Sequence, residues 1–513
     1  MNKQLKQLYT EIKKLEQLLR KITTEKKDII GLVHPTNTAA AKNLVQYTAL
    51  RSYDLNDLQE RLHENGLSSL TSSESHVLCQ VQAILQMLDK NYKGSKANSC
   101  SLADAQESLR YKSEKLFGSK PDELPHIMVT FDKNIGKDSL FIEKLLKKGM
   151  HVARINCARD DEKAWDMIIA NIKKASAETG KECKIYMDLA GPKIRTKILG
   201  KGRKNESVKI AEGTIFYITE SKAKAPKGEI VIGCTREGII PNLKENERVL
   251  FDDGEIEAVV KEAKGNSAKL EMVRNSKKSL KLKADRGINF PDTEHELTTL
   301  TTFDKNCVKY ICKNADMIGF SYVKEPADIE ELQLLVNEEE RKAPIIIKIE
   351  NTEAINNLPA LILQGMQQEN FGILVARGDL AVEVGFERLS EIQDEILWFA
   401  EAAHTPVIWA TEVLDVMHKT GVATRAEMTD AAHAAMAECV MLNKGAYTLE
   451  VIDTLKDVLT RNLRHHNKKG FNMPALKIAE RLIAAKNNWG IKTKPAPPKK
   501  AAPKKRAAKA RTT

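Results

Sequence analysis

The chain has 513 residues, of which 29% are charged and 42% are apolar, a composition typical of a globular protein with room for more than one domain. It has no apolar run close to the roughly 20 residues that span a bilayer, and its N-terminus has early acidic residues and no apolar signal core. Eight scattered cysteines without a pairing pattern indicate reduced thiols. We therefore expect a cytoplasmic protein without membrane contact.

Residues 1–120 are predicted to form a helical region that ends in a linker. A heptad pattern of Leu and Ile covers residues 1–25. Because three heptads are short for a free coiled coil, packing inside the chain is favoured over pairing with a second copy. Two more helices are predicted at about 38–65 and 72–90, and residues 91–122 are predicted to be a linker with a weak helical pattern.

Eight short, Val- and Ile-rich runs lie between residues 126 and 443, and helical patterns separate most of them. Such runs are typical of a parallel sheet buried on both faces, and eight of them predict a closed α/β barrel of the (β/α)8, or TIM, type. We expect its first part at 121–196 and its second at 286–470. The predicted strands are His126–Thr130, His151–Asn156, Cys183–Leu189, Ala315–Ser321, Pro344–Glu350, Phe371–Arg377, Pro406–Thr411 and Cys439–Asn443.

The barrel is predicted to be interrupted after its third strand. Short alternating runs and turn signals such as Asp252-Asp253-Gly254 predict a small all-β domain inserted at 197–285. An insertion in this loop rises over the barrel mouth, where it is suited to act as a lid. After the barrel, a terminal helix is predicted at 471–490.

The last segment, 491–513, carries nine Lys and Arg residues and no acid, and without these nine charges the net charge falls from +11 to +2. Its Pro, Ala and Lys composition cannot build a core, so we expect a disordered tail. A solvated tail that aids solubility is the first interpretation. Weak, nonspecific binding of nucleic acid or another polyanion is the second.

Charged residues and one hydroxyl lie at the carboxyl ends of the predicted strands, where barrel enzymes keep their catalytic groups. Lys348 and Glu350 are two residues apart on one strand, so both side chains are expected to point into the mouth. Asp379 follows Gly378 just past the sixth strand, and the glycine lets backbone approach a ligand. Glu350 and Asp379 form an oxygen-only pair suited to Mg²⁺ or Mn²⁺ together with substrate oxygens. The neighbouring basic groups favour a phosphorylated anion.

Seven segments, taken together and in order, resemble the pyruvate kinase family. The resemblance spans roughly 124–465, includes the inserted β domain, and implies the same barrel. The stretch Asp57–Leu88 is also similar to an extra helical region in an atypical bacterial branch of that family. The segments are Gly149–Asn156, Asp188–Thr196, Asp252–Gly254, Lys348–Asn351, Ala376–Leu380, Ala410–Thr411 and Thr424–Glu427.

The resemblance implies phosphoryl transfer from phosphoenolpyruvate to ADP or another nucleoside diphosphate. Glu350 and Asp379 would hold the divalent metal, and Lys348 would offset charge on the phosphoryl group as it moves. Arg154 would hold the phosphate, and Thr411 would take part in protonating enolpyruvate to pyruvate.

Further contacts with substrate, nucleotide and cation are implied in the same way. Backbone amides near Arg377-Gly378-Asp379 would bind the substrate carboxylate at a helix start, beside Thr411. The implied nucleotide-binding residues are Asn156, Arg195 and Arg286, and the implied residues of a weakened monovalent-cation site are Asn156, Asp188 and Leu189.

Several positions depart from the family's pattern. Ala158 replaces a serine that would be a monovalent-cation ligand, and Lys193 stands where potassium-dependent members carry glutamate. A fixed lysine ammonium can replace the charge of potassium, so we expect potassium independence. In the eighth strand Asn443-Lys444-Gly445 replaces Ser-Gly-Glu with a short deletion, which changes the proton relay around Thr411. No counterpart of the family's C-terminal regulatory domain is expected, and association through barrel helices would give a homodimer.

Two other functions stay open at this stage. Other metal-dependent barrel enzymes that act on phosphoenolpyruvate or pyruvate, of the aldolase or lyase type, use a similar Glu/Asp pair on consecutive strands. A non-catalytic protein could instead bind a metabolite in the barrel and a polyanion through the basic tail. The inserted β domain and the segments Asp188–Thr196 and Thr424–Glu427 favour the kinase.

Overall fold

The structure is a computed structural model that describes residues 3–94, 100–220, 228–275, 280–293, 297–463, 475–485 and 489–490. The basic tail predicted at 491–513 lies outside these residues. Within the terminal helix predicted at 471–490, residues Lys477–Ala484 are helical, and residues 471–474 and 486–488 lie outside the described part. Of the helices that the structure describes, none combines the length and the apolar character needed to cross a membrane.

Among the described residues, six α-helices precede the barrel. The first is amphipathic and buries its Leu and Ile heptad, with Ile12 and Leu19 fully covered, against the third and fifth helices. This confirms the predicted packing inside the chain. The helices are α1 (Lys3–Glu25), α2 (Lys27–Ile30), α3 (Thr38–Leu50), α4 (Asn56–Glu64), α5 (Val77–Leu88) and α6 (Leu102–Phe117).

Two details of the predicted N-terminal region are wrong. The helix predicted over 38–65 is interrupted at residues 51–55, and half of the predicted linker is the helix α6. A capping box starts α6, in which the Ser101 hydroxyl accepts from the Asp104 amide and the Asp104 carboxylate accepts from the Ser101 amide. Leu116 and Phe117 at its end join the core inside the barrel, so α6 closes the barrel at its N-terminal face.

The first part of the barrel holds three parallel strands. Each is covered by buried apolar side chains on both faces, because helices pack outside and core residues fill the inside. The elements are β1 (His126–Phe131), α7 (Lys133–Gly136), α8 (Ser139–Lys148), β2 (Val152–Asn156), α9 (Glu162–Thr179) and β3 (Lys184–Asp188).

An all-β lid follows β3 and has its own apolar core, separate from that of the barrel. Its main sheet has the order β12-β8-β9-β10-β6-β7-β4, and β11 pairs with β5 beside it. The strands are β4 (Thr196–Ile198), β5 (Ser207–Ile210), β6 (Ile215–Thr219), β7 (Val231–Cys234), β8 (Arg248–Phe251), β9 (Ile256–Lys264), β10 (Ser267–Asn275), β11 (Leu280–Lys283) and β12 (Ile288–Asn289).

The second part of the barrel supplies the other five strands and closes the sheet in the order β1-β17-β16-β15-β14-β13-β3-β2. All neighbouring pairs are parallel, which confirms the predicted (β/α)8 barrel. The elements are α10 (Thr302–Asn314), β13 (Met317–Phe320), α11 (Pro326–Glu338), β14 (Ile345–Ile349), α12 (Thr352–Asn356), α13 (Leu358–Gly365), β15 (Phe371–Ala376), α14 (Arg377–Val384), α15 (Phe386–Ala402), β16 (Val407–Ala410), α16 (Asp415–Thr420), α17 (Arg425–His433), β17 (Cys439–Leu442), α18 (Thr448–Leu463) and α19 (Lys477–Ala484).

Candidate active site

A polar cavity of about 120 Å³ opens at the carboxyl ends of the barrel strands, beneath the lid. Nine of the residues that the sequence singled out line it, which are Arg154, Asn156, Asp188, Leu189, Arg195, Lys348, Glu350, Asp379 and Thr411. Arg377, Gly378 and Arg286 are not among the lining residues. The strand ends therefore gather most of the predicted residues in one place.

Four charged side chains form a continuous network in this cavity. The Arg154 guanidinium donates to Asp188 Oδ2 at 2.6 Å from Nη2 and at 3.2 Å from Nε. Lys348 Nζ lies 3.4 Å from the same Asp188 oxygen and 2.8 Å from Glu350 Oε1. Because β2, β3 and β14 bring these groups inward at the same height, cations and anions alternate across the barrel mouth.

The network favours the charged forms of Asp188, which is buried, and of Lys348, which is mostly buried. Burial acts to raise the pKa of the Asp188 carboxyl, but Lys348 and Arg154 outweigh it and the pKa falls below its ordinary value. Burial acts to lower the pKa of the Lys348 ammonium, but Asp188 and Glu350 raise it above its ordinary value. Each charge is thus held by its partners.

The pKa of the Glu350 carboxyl is shifted in the opposite direction to that of Asp188. Burial, aided by the Asp379 carboxylate, raises its pKa above the ordinary value, although Lys348 acts in the opposite direction. Its second oxygen accepts a hydrogen bond from the Tyr322 amide at 2.7 Å. A cation bound beside Glu350 would add to the effect of Lys348 and act to lower this pKa.

Asp379 is paired with Lys193, a residue of the loop between β3 and the lid. Lys193 Nζ donates to Asp379 Oδ1 at 2.8 Å and lies 3.5 Å from the lid residue Asp253. Burial opposes ionisation of Asp379, but the lysine lowers its pKa below the ordinary value. The two carboxylates raise the pKa of Lys193 to about 12 despite its burial. The lysine therefore ties the barrel to the lid through a fixed positive charge.

Thr411 follows β16 with its backbone in the left-handed region, at φ 64°. Such a conformation is unusual for a β-branched residue and costs about 1–3 kcal/mol, so surrounding contacts must hold it. Its hydroxyl accepts a hydrogen bond from the Gly378 amide at 2.7 Å. That amide was expected to bind a substrate carboxylate, and in this structure the Thr411 hydroxyl already uses it.

The Arg377 side chain turns away from the cavity and is only 6% exposed. Its Nε donates to Ala410 O at 3.1 Å, its Nη2 donates to Thr411 O at 2.6 Å, and its Nη1 donates to Asp430. The guanidinium also lies 4.6 Å from the centre of the Trp409 ring. The substrate contact predicted near Arg377 is made by backbone amides and stays a prediction, while the guanidinium forms contacts within the chain.

The groups predicted to bind nucleotide lie on the lid side of the mouth. Arg195 donates to Asp285 O at 3.1 Å, and Arg286 donates to Asp252 Oδ1 at 3.1 Å. Asn156 Oδ1 accepts from the Ala158 amide at 2.9 Å, which shapes the loop after β2. The buried Leu189 contributes its backbone, whose carbonyl accepts from the Ser321 hydroxyl at 2.8 Å.

Sequence reasoning missed Ser321 and Tyr322, which follow β13 and line the cavity. The Ser321 hydroxyl accepts from Lys348 Nζ at 2.8 Å and so orients the ammonium. This loop packs tightly on the loop after β3, because a Cβ at Gly191 would lie 2.6 Å from the Tyr322 ring, and Gly191 has φ 66°. Their position just past a predicted strand was the available signal.

The donor set fits a divalent cation of the Mg²⁺ type only with help from other ligands. Glu350 and Asp379 supply carboxylate oxygens, which Mg²⁺ and Mn²⁺ prefer. Within the described part of the chain, no group of three or more His, Cys, Asp or Glu residues is placed to hold a metal. A metal bound here would take its remaining ligands from substrate oxygens and water, as Mg²⁺ commonly does.

The fold and the cavity together define a class of protein: a (β/α)8 barrel with a β lid after its third strand and a buried acid–base network at its mouth. The family model described as pyruvate kinase, barrel domain, matches residues 126–452. The chain therefore belongs to the pyruvate kinase family, which confirms the resemblance seen in the sequence. Membership of this family implies a divalent metal cofactor.

Individual relatives agree with this assignment. The chain is 32% identical to a pyruvate kinase of Bacillus licheniformis over 346 residues, which are 65% of this chain and 57% of the relative. It is 31% identical to a pyruvate kinase of Staphylococcus saprophyticus over 326 residues, 62% of this chain and 53% of the relative. The crystal structure of a pyruvate kinase from Cryptosporidium parvum matches with a TM-score of 0.59 at 25% identity, covering 68% of this chain and 72% of that one. The chain thus spans a little over half the length of these two bacterial relatives.

Proposed function

We propose that this protein catalyses the pyruvate kinase reaction, in which the phosphoryl group of phosphoenolpyruvate passes to a nucleoside diphosphate such as ADP. A terminal phosphate oxygen of the nucleotide bonds to phosphorus, the bond from phosphorus to the enol oxygen breaks, and the enol carbon takes up a proton to give pyruvate. The observation that carries the proposal is the position of Lys348, a buried ammonium between Asp188 and Glu350 at the barrel mouth.

Charge stabilisation supplies most of the catalysis in such a reaction. Lys348 would neutralise charge on the phosphoryl group in transit, and Arg154 would hold the same group from the opposite side. Both cations already have their partners in place, so little reorganisation is needed when the anion enters. Asn156, Arg195 and Arg286 would contact the nucleotide from the lid side.

Glu350 and Asp379 would hold the Mg²⁺ or Mn²⁺ ion. When bound, the metal supplies positive charge to oxygens of the substrate. The negative charges of these two carboxylates are balanced by Lys348 and Lys193. A bound metal ion would take over part of this balancing. Amides at the start of α14 would receive the substrate carboxylate, and the Gly378 amide would be shared between that carboxylate and the Thr411 hydroxyl.

Proton delivery to the enol carbon would involve Thr411, which lines the cavity. The altered segment Asn443-Lys444-Gly445 follows β17 nearby, and Lys444 forms an ion pair with Asp132 at the end of β1. The altered segment thus contacts the loop that follows the first strand. This pairing supports a rearranged but intact rim at the eighth strand.

Potassium would not be required, because Lys193 already places a fixed cation next to Asp379. Asp188, Asn156 and Leu189 would line what remains of the monovalent-cation site. We further propose a cytoplasmic location, consistent with the eight free cysteines, a homodimer formed through barrel helices, and weak polyanion binding by the basic tail.

The test is pyruvate formation from phosphoenolpyruvate and ADP with Mg²⁺, for the wild type and for Lys348→Met. We expect turnover in the wild type and a loss of at least about 10²–10³-fold in the variant, since one preorganised charge is removed. Lys342→Met, at an exposed position just before β14, is the matched control and should keep full activity.

Other outcomes identify the other candidates. Binding of phosphoenolpyruvate by the wild type without ATP formation would contradict the proposal and favour a metabolite-binding protein. Cleavage of a 2-keto acid in the presence of Mg²⁺, again without ATP formation, would favour the aldolase type.

A further inference from the structure

The Arg377 guanidinium contacts both peptide groups that flank the Cα atom of Thr411. Nε donates to the carbonyl of Ala410, and Nη2 donates to the carbonyl of Thr411 itself. The orientation of these two peptide planes is what the φ and ψ angles of Thr411 describe. A single rigid fork that fixes both carbonyls therefore fixes the backbone conformation of Thr411.

The conformation that it fixes is one that threonine rarely adopts. Thr411 has φ 64°, and the next residue, Glu412, has φ 57°. A β-branched residue stays in the left-handed region only when its surroundings hold it there, and such residues cluster at active sites. The fork of Arg377 is the restraint that the structure provides on the carbonyl side.

Asp430, on α17, holds the third arm of the guanidinium. Its carboxylate accepts from Arg377 Nη1, and the Trp409 ring lies under the guanidinium at 4.6 Å. The Asp430 side chain is 30% exposed whereas that of Arg377 is 7% exposed, so the aspartate supplies the charge that balances a buried cation. Without the Asp430 carboxylate, the Arg377 guanidinium loses both its counter-ion and the contact that fixes its orientation.

The position of the hydroxyl follows from this arrangement. With the backbone left-handed, Thr411 Oγ1 reaches the Gly378 amide at 2.7 Å and lines the cavity. A return to negative φ would swing the hydroxyl away from both. We propose that Asp430 and Arg377 are positioning residues that hold Thr411 in its left-handed conformation and so place its hydroxyl for proton transfer to the enol carbon. This inference rests on the proposed function for the role of the hydroxyl, but not for the restraint itself.

The first measurement is a crystal structure of the full-length Asp430→Leu variant, which does not depend on turnover. We expect φ of Thr411 to leave the left-handed region and the hydrogen bond from the Gly378 amide to be lost. An unchanged conformation of Thr411 in this variant would overturn the proposal. Asp430→Asn keeps an acceptor for Nη1 and should retain the wild-type conformation. Loss of the left-handed conformation of Thr411 in the Asn variant but not in the Leu variant would also contradict the proposal.

The second measurement follows proton transfer directly, as exchange of the pyruvate methyl hydrogens for deuterium in D2O, together with kcat and KM for phosphoenolpyruvate. We expect Asp430→Leu to lower the exchange rate and kcat by about 100-fold with KM changed less than about 3-fold, and Asp430→Asn to recover at least about a tenth of the wild-type rate. Equal loss of exchange and of substrate binding would indicate a general structural role and overturn the proposal.

A matched control is available on a neighbouring helix. Asp394 pairs with His433 at 2.7 Å, and its side chain is 30% exposed like that of Asp430, but it does not line the cavity. Asp394→Leu should leave the exchange rate and kcat within about 2-fold of the wild type. If the wild type itself shows no turnover, the proposed function fails, while the crystal structure of Asp430→Leu still decides whether this pair restrains Thr411.

Discussion

Lys193 contacts two carboxylates that come from different parts of the chain, Asp379 at the start of α14 and Asp253 in the lid. A lysine in this position does two things that a glutamate could not. It neutralises a carboxylate proposed to bind the metal before any metal arrives, and it attracts the lid toward the barrel. The same residue therefore affects both the charge of the site and the closure above it.

Lys193→Gln should lower turnover about 10–100-fold, because it removes the cation at 2.8 Å from Asp379 while keeping a side chain of similar length. The wild type should be equally active with potassium and with tetramethylammonium as the monovalent cation. The measurement is pyruvate formation in both salts, with Lys197→Gln on the exposed face of β4 as the control. A wild type that needs potassium would contradict the role given to Lys193.

At the residue scale, strand periodicity predicted which side chains would enter the cavity but not how each would be used. Lys348 and Glu350 are two apart on a strand, so their shared direction follows from the sequence. Arg377 begins a helix, and nothing local decides whether its long side chain turns outward or inward. That choice depends on Asp430, which is 53 residues away in sequence. The roles of the individual site residues stay predictions.

At the element scale, Glu16 is an acidic residue on the buried face of α1. Lys13, Arg20, Gln82 and Tyr92 all donate hydrogen bonds to its carboxylate. Burial acts to raise its pKa, but these donors outweigh burial and lower the pKa to about 2. The carboxylate thus joins α1 to α5 and to the segment that follows it.

Because its pKa is lower in the folded state, the ionised Glu16 stabilises the fold above pH 4.5 and loses this effect as the pH falls toward 2. Glu16→Gln should therefore reduce the free energy of unfolding by about 2 kcal/mol at pH 7, and the difference from the wild type should shrink on acidification. Urea unfolding at several pH values is the measurement, with the exposed Glu25→Gln as control. A difference that is constant between pH 7 and pH 3 would argue against this linkage.

The elements that the sequence predicted best are the strands that are buried on both faces. All eight barrel strands were predicted to within a few residues, since a strand covered on both faces appears as one apolar run. Helix α6 was missed because only its C-terminal end enters the core, so its apolar period is weak. The helix predicted at 38–65 was too long, because the break at 51–55 depends on how α4 packs against α1.

At the scale of the whole molecule, the match to the family model covers the barrel strands and the lid. The match of the family model ends at residue 452, and the N-terminal helices lie outside it. These helices share one apolar core with the outer layer of the barrel. The relation of Asp57–Leu88 to an atypical bacterial branch stays a prediction.

Deletion of residues 491–513 should remove binding to a polyanion such as heparin and leave pyruvate formation within about 2-fold of the full chain. Nine positive charges in 23 residues attract polyanions through release of counterions, so the affinity of the full chain should fall steeply as salt rises. Heparin affinity chromatography of both proteins across a salt gradient checks this. Equal retention of the two proteins would assign any polyanion binding to another surface.

The shared core of the N-terminal helices and the barrel has a consequence for the order of events on the ribosome. Helix α3 packs against α13, α15 and α19, and Asn43 donates to the carbonyl of Ala402. At about 5–20 residues per second, these partners emerge from the ribosome roughly 15–90 s after α3 itself. During that interval the first helices have only each other to cover their apolar faces. We therefore expect a holding chaperone to bind the nascent N-terminal helices until the C-terminal half of the chain has been translated.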